Sequence, residues 1–263
     1  MKLKIKIAVA QYDIFQETED NLKVIKRLIR RCKNSDVELL VLPEDGIAKP
    51  EIVERGYDVL KVISSLVKES KMYIAGANFY KEQDGQLCKI GFLFNPDGEM
   101  IAEHKKICLP PTEVTLGLVP GNLIKVYDTP LGRVAILICK DTYNRYSSWL
   151  FQDLRKKGVE IIIIPASSLD VNSRSLSLYR ETLISNCYLT DAYFLVSGTV
   201  GNLVKYSCFG HALVICPRRG VLTEGTRYNE DLLICEIDSD NLKWIKDYDQ
   251  KWQPEDLFDY LVN

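Results

Sequence analysis

Two histidines in 263 residues, His104 and His211, leave little room for a nucleophile activated by imidazole. Charge of one sign is also missing: 34 Lys and Arg stand against 36 Asp and Glu, for a net charge of −2. Nucleic-acid binding needs a concentrated basic face that releases counterions, and this balance argues against one. No apolar run approaches the ~20 residues that span a bilayer. The first residues, MKLKIKIAVAQY, alternate straight into a strand without a signal peptide's apolar stretch, so the expected compartment is the cytoplasm. None of the eight cysteines forms a CxxC pair, and nearly all sit in apolar runs such as AILIC, ALVIC and LLIC. That pattern excludes a disulfide framework and zinc-ligand spacing, and no metal or cofactor is expected. Most of these cysteines read as small buried hydrophobes.

What is present is the composition of an ordinary globular protein, with 46% hydrophobic, 10% aromatic and 27% charged residues. A chain of this length buries roughly three quarters of its extended surface and needs no covalent staple. Strand-like segments recur at 4–11, 37–43, 72–79, 91–95, 134–139, 160–165, 193–198, 211–216 and 232–237. Several, such as VAILIC and EIIIIP, are continuous β-branched runs, which suits strands covered on both faces. Helical periodicity fills the gaps at 21–32, with Asp20 as N-cap, and at 52–68, 146–157 and 173–189. NPDGEM (95–100) and CPRRGV (216–221) read as tight turns. The order is β-α-β-α-β-β, then the same again, which puts helices around layered α/β sheets in one domain spanning 1–263. The charged, aromatic tail 241–263 is too apolar to stay loose and is expected to pack on its own or a partner subunit.

Three strand ends carry reactive side chains. In VLPEDG, Glu44 follows the apolar run 39–42. In HKKICLPPTE, Lys105, Lys106 and Glu113 flank a short apolar step. In AILICKDTYN, Cys139 closes an apolar run, and Lys140, Asp141 and Asn144 follow. Singly, each suits a solvated loop, a helix cap or core packing. Together they supply one chemistry. A thiol attacks only as its thiolate, a nearby ammonium stabilises that anion, and a carboxylate in a dry pocket accepts the proton. The same ammonium can stabilise an oxyanion formed on an amide carbonyl. Histidine is not needed.

These segments resemble the nitrilase (carbon–nitrogen hydrolase) superfamily in Pro43-Glu44, Lys106-Ile107-Cys108-Leu109 and Ile138-Cys139-Lys140-Asp141. The resemblance extends through IAVAQY (7–12), PGN (120–122), IIIIPAS (161–167) and FGHALVICPRRGVLTEG (209–225), nearly the whole chain. It implies a four-layer αββα sandwich with Cys139 as nucleophile, Glu44 as general base and Lys106 as oxyanion stabiliser. The backbone N–H of Lys140 would complete the oxyanion hole, and Glu113 would orient the lysine and substrate. Asp141 keeps an amidase-like Cys-x-Asp form rather than the Trp-Glu of nitrile-hydrolysing members. Tyr143 and Asn144, with Tyr146 and Trp149, could line a pocket or simply pack. His211 reads as structural, and His104 as a hydrogen-bonding or exposed residue. The implied activity is hydrolysis of a small-molecule amide by a homodimer or higher homo-oligomer, without cofactor. An inactive binding or scaffold relative, a nitrile-hydrolysing member and an acyl-transferring member are the other readings.

Overall fold

A β-strand alternates its side chains between two faces, so an unbroken apolar strand needs a partner layer on each side. The computed structural model, which describes residues 4–15, 17–144, 146–167, 169–170, 175–203 and 206–249, supplies both. The first sheet contains β1 (Lys4–Asp13), β2 (Leu39–Glu44), β3 (Tyr73–Lys81), β4 (Leu87–Phe94) and β5 (Met100–Lys105) side by side. Strands β10 (Gly198–Val200) and β15 (Asp231–Asp238) pair with β1. The second sheet runs β6 (Tyr127–Thr129), β7 (Gly132–Ile136), β8 (Ile161–Ile164), β9 (Tyr193–Val196), β13 (Leu213–Cys216) and β14 (Gly220–Glu224). A small ribbon joins β11 (Asn202–Leu203) to β12 (Tyr206–Ser207).

The two halves follow one path. Strands β1, β2 and β3 are parallel and continue into the antiparallel β4 and β5. Strands β7, β8 and β9 are parallel and continue into the antiparallel β13 and β14. Leu39 and Val41 of β2 and Ile161 and Ile163 of β8 meet in the core between the sheets. Their neighbours face outward: Leu40 and Leu42 toward α1 (Thr18–Lys33) and α3 (Val59–Ser70), Ile162 and Ile164 toward α5 (Ser147–Lys156) and α6 (Ser175–Thr190). The result is the αββα sandwich, and each buried Ile or Leu contributes about 1.5–3 kcal/mol to it. Arg180 on α6 donates twice to Glu224 on β14 at 2.8 and 2.9 Å, and His211 adds a contact at 2.9 Å, fixing α6 to the sheet edge. Among the described residues no helix is long and apolar enough to cross a membrane.

Several sequence expectations shift. Helix α1 begins at Thr18, so Asp20 is not its cap; it lies in the first turn and pairs with Lys23 at 2.7 Å. The segment 52–68 is not one helix. It breaks into α2 (Pro50–Glu54) and α3, because Gly56 takes φ +97° and Asp58 caps α3 by accepting from the Lys61 N–H. Strand β4 starts at Leu87 rather than Gly91, and β5 was not anticipated, since MIAEHK alternates weakly beside its turn. Gly98 (φ +80°) and Gly220 (φ +74°) stand at the two expected turns. Of the tail, α7 (Ser239–Asp249) is described, with Arg218 stacked 4.3 Å over the Trp244 ring. Residues 250–263 lie outside the described residues.

Candidate active site

Strand β2 delivers Glu44 at its last residue, β5 delivers Lys106 one residue beyond its end, and β7 points toward Cys139. The strand expected to run to Cys139 stops at Ile136. Leu137 and Cys139 still donate to Ile163 and Pro165 at 3.0 Å, but Cys139 turns into a 3-10 helix (Cys139–Thr142) with φ +42°. A non-glycine residue in the left-handed region costs about 1–2 kcal/mol, and such strain is held where the surroundings over-determine it. The sheets are drawn together here by Gly91 of β4. A Cβ at that position would lie 2.7 Å from the Ile136 side chain.

Glu44 is 2% exposed, Lys106 1% and Cys139 5%. The Lys106 ammonium donates to Glu44 Oε1 and Glu113 Oε1, both at 2.7 Å. Glu113 comes from the short helix α4 (Pro111–Thr115), whose side the lysine faces. The expected orienting contact between Glu113 and the lysine is therefore present. The Cys139 sulfur lies 3.8 Å from the Tyr143 hydroxyl, and Tyr143 packs edge-on against Tyr179, which leans on Phe209.

The electrostatics separate the acid from the base. Burial alone would raise the Glu44 carboxyl, but the Lys106 and Lys89 ammoniums outweigh it and hold Glu44 well below the usual carboxylate range. Burial likewise opposes the Lys106 ammonium, yet Glu44 beside it keeps that group above the ordinary lysine value. Cys139 goes the other way. Burial, then the Glu44 charge, push its thiol up to about 12, against the weaker pull of Lys106, the Ser167 N–H and the Tyr143 hydroxyl. The sequence suggests a lysine-stabilised thiolate; the structure holds a resting thiol beside an ionised carboxylate.

Two of the expected contact residues, Asp141 and Asn144, are engaged by the protein itself. Asp141 is 1% exposed, and both its oxygens are taken by protein donors. Oδ1 accepts from the Ile107 and Cys108 N–H groups at 3.2 and 2.7 Å, and Oδ2 from Ile138 N–H at 3.0 Å with His104 Nε2 at 2.9 Å. It thus ties the lysine loop to the cysteine loop. His104, buried against it, supports the same joint. Asn144 is likewise spent on the backbone, donating to the Lys140 and Asp141 carbonyls and accepting from Tyr146 N–H. Lys140 stays half-buried next to Cys139. Tyr146 and Trp149 are exposed, at 69% and 78%, and are not enclosed in a pocket.

Asp141→Ala removes the acceptor from four donors at once. Unfolding in urea should show a loss of about 3 kcal/mol or more, and a change under ~0.5 kcal/mol would show that the two loops are not joined through this carboxylate.

Two residues were missed. Lys89 of β4, 2% exposed, donates to Glu113 Oε1 at 2.6 Å and Asp45 Oδ2 at 2.9 Å, and lies 3.1 Å from Glu44 Oε1. The signal was a single lysine inside the apolar strand LCKIGFLF, where a charge is rare unless paired. Asp45, directly after Glu44, takes φ +62° and turns its carboxylate toward that lysine.

Comparison with known proteins gives a consistent picture. The carbon–nitrogen hydrolase family model matches residues 6–247. The omega-amidase of Mus musculus is 28% identical over 261 residues, covering 92% of this chain and 91% of its own. An omega-amidase of Xenopus laevis is 25% identical, covering 93% and 92%. Among solved structures, a branch 10 nitrilase-superfamily member of Saccharomyces cerevisiae superposes with TM-score 0.81 at 21% identity, covering 94% of each chain. A carbon–nitrogen hydrolase of Helicobacter pylori superposes at 0.83 with 17% identity over 99% of each. An amidase of Nesterenkonia sp. AN1, with acrylamide added at its active-site cysteine, superposes at 0.75 and 17% identity, covering 91% and 95%.

Proposed function

This chain belongs to the carbon–nitrogen hydrolase family, and from that premise we propose that it hydrolyses a small linear amide through a thioester on Cys139. Omega-amidases stand among its relatives, so ω-amides are the first substrates to try. The observation that carries the reading is the meeting of three buried groups from three separate strand ends. Lys106 is hydrogen-bonded to Glu44, and both act electrostatically on the Cys139 thiol.

The chemistry follows from the charges. Because the thiol rests protonated, a base must remove its proton as the sulfur attacks. Both ammonium contacts on Glu44 fall on Oε1, which leaves Oε2 to receive that proton. The S–C bond forms, and the carbonyl electron pair moves onto oxygen. Lys106 and the backbone N–H of Lys140 stabilise the resulting oxyanion. Collapse breaks the C–N bond, and the leaving nitrogen takes the proton from Glu44 and departs as ammonia or an amine. Glu44 then draws a proton from water, whose oxygen attacks the thioester. Collapse of the second tetrahedral species returns the proton to sulfur and releases the acid. No step calls on a metal or an organic cofactor.

A panel of small linear amides, ω-amides and N-carbamoyl compounds, followed by ammonia release, tests the reading. At least one class should turn over. A folded protein silent across the whole panel would instead favour a binding or scaffold role.

A further inference from the structure

Beyond Glu44, Lys106 and Cys139 lies a second buried cation that the proposed chemistry does not use. Lys89 and Lys106 share the same two acceptors, Glu44 Oε1 and Glu113 Oε1. The four side chains close a ring of contacts between 2.6 and 3.1 Å, each ammonium bridging both carboxylates. Asp45 hangs on the outer side of Lys89 at 2.9 Å, and the Phe79 ring lies 4.3 Å beneath the ammonium. Three carboxylates against two ammoniums leave one negative charge in excess. Two acceptor atoms in this cluster, Asp45 Oδ1 and Glu113 Oε2, are buried without a hydrogen-bond partner.

We propose that Lys89 is a positioning residue that holds Glu44 and Lys106 in mutual register, and that Lys89 with its counter-ion Asp45 sets the charge felt by Cys139. The inference rests on the proposed role of Glu44 as base. One ammonium would satisfy a simple Glu–Lys–Cys site. The second lowers the negative potential around Glu44 and the thiol, and Asp45 restores part of it. The groups facing Lys89 are Glu44, Asp45, Glu113 and Lys106, with Cys139 beyond and the His104–Asp141 pair behind the lysine loop. Glu44 and Asp45 share a strand end and diverge, because Lys106 and Lys89 pull Glu44 down whereas burial lifts Asp45 above its ordinary range.

The sign of each change follows. Lys89→Met keeps the packing on Phe79 but removes a positive charge, so Glu44 holds its proton more tightly and the thiolate is less favoured. Both effects move the acidic limb of kcat/KM, and the pH profile of Cys139 alkylation by iodoacetamide, to higher pH. Asp45→Asn removes a negative charge and moves both to lower pH. The double variant keeps the excess at one negative charge, so both profiles return toward the wild type.

The test is to record kcat/KM against pH on the amide the wild type hydrolyses best, and alkylation of Cys139 by peptide mass spectrometry, for the full chain and the three variants. Lys89→Met should shift both profiles up by about one pH unit, Asp45→Asn should shift them down, and the double variant should lie closer to wild type than either single. If Lys89→Met does not fold, the double variant, which removes both members of the buried pair, still carries the comparison with Asp45→Asn. A folded Lys89→Met with unmoved profiles, or a double variant no nearer the wild type than the singles, overturns the proposal. Alkylation needs no turnover. A wild type silent on amides but with the predicted alkylation shifts would therefore defeat the amidase reading alone.

Discussion

Cys139→Ala abolishes amide hydrolysis, by at least ~10⁴-fold in kcat/KM, while leaving the fold nearly as stable as before. The first half follows from the absence of a substitute. Cys139 is the cysteine whose thiol feels the charges of both Glu44 and Lys106. The second half follows from size. Shortening the buried CH2–SH side chain to CH3 deletes one heavy atom from a small site, a loss of about 1 kcal/mol. Cys32→Ala is the matched control. Cys32 lies fully buried on the inner face of α1, in a different core cluster from Cys139, and its loss should lower the melting temperature slightly without touching kcat. Steady-state ammonia release and thermal melts of both variants check the pair. Residual hydrolysis above a few per cent in Cys139→Ala would mean that water, or another side chain, attacks the amide directly.

Lys106→Met has the second largest effect, and it differs in kind. Methionine fills the volume of the lysine stem but leaves Glu44 and Glu113 facing each other with Lys89 as their one remaining cation among the described residues. Removing one partner of a buried ion pair costs about 3–5 kcal/mol, so this variant should lose stability that Cys139→Ala keeps. Activity should fall by at least ~10³-fold, because the oxyanion loses its charged donor. The loss should appear in kcat more than in KM, since the oxyanion exists only in the transition state and the tetrahedral species. Denaturant unfolding and Michaelis kinetics on the same preparation separate the two losses. A large stability loss with kcat retained would reduce Lys106 to a structural cation.

The layered architecture was readable because β-branched runs such as IIII at β8 and LLVL within β2 cannot be half-exposed. Unbroken apolarity at period two demands cover on both faces, and two such families of strands demand two sheets. The boundaries were less readable where chemistry intrudes. The β7 run is apolar through Ile138, so the pattern carries the strand to Cys139, although the backbone leaves it at Ile136 to place Cys139 in a left-handed turn. Hydropathy does not register a φ angle. The break between α2 and α3 hid for a related reason: Val53 and Val59 keep an acceptable rhythm across a turn that Gly56 and Asp58 impose.

In the site, the residues at strand ends were legible because a charge after an apolar run is conspicuous. Asp141 and Asn144 stand at the right place in the sequence, but their polar atoms turn inward to backbone donors and acceptors. Proximity in sequence to Cys139 could not reveal that. Lys89 was hidden by its own strand. Its neighbours read as core, and only the arrival of Glu44 and Asp45 from the end of β2 and of Glu113 from α4 makes its charge tolerable there.

The proposed hydrolysis passes through a covalent bond between Cys139 and the acyl half of the substrate. Quenching the enzyme in acid during turnover of its best amide, then measuring intact and peptide mass, reads that bond directly. The predicted result is a mass increase equal to the acyl group, located on the peptide containing Cys139 and absent from Cys139→Ala. Turnover with no adduct at any quench time, or with the acyl group on Cys108, would contradict it.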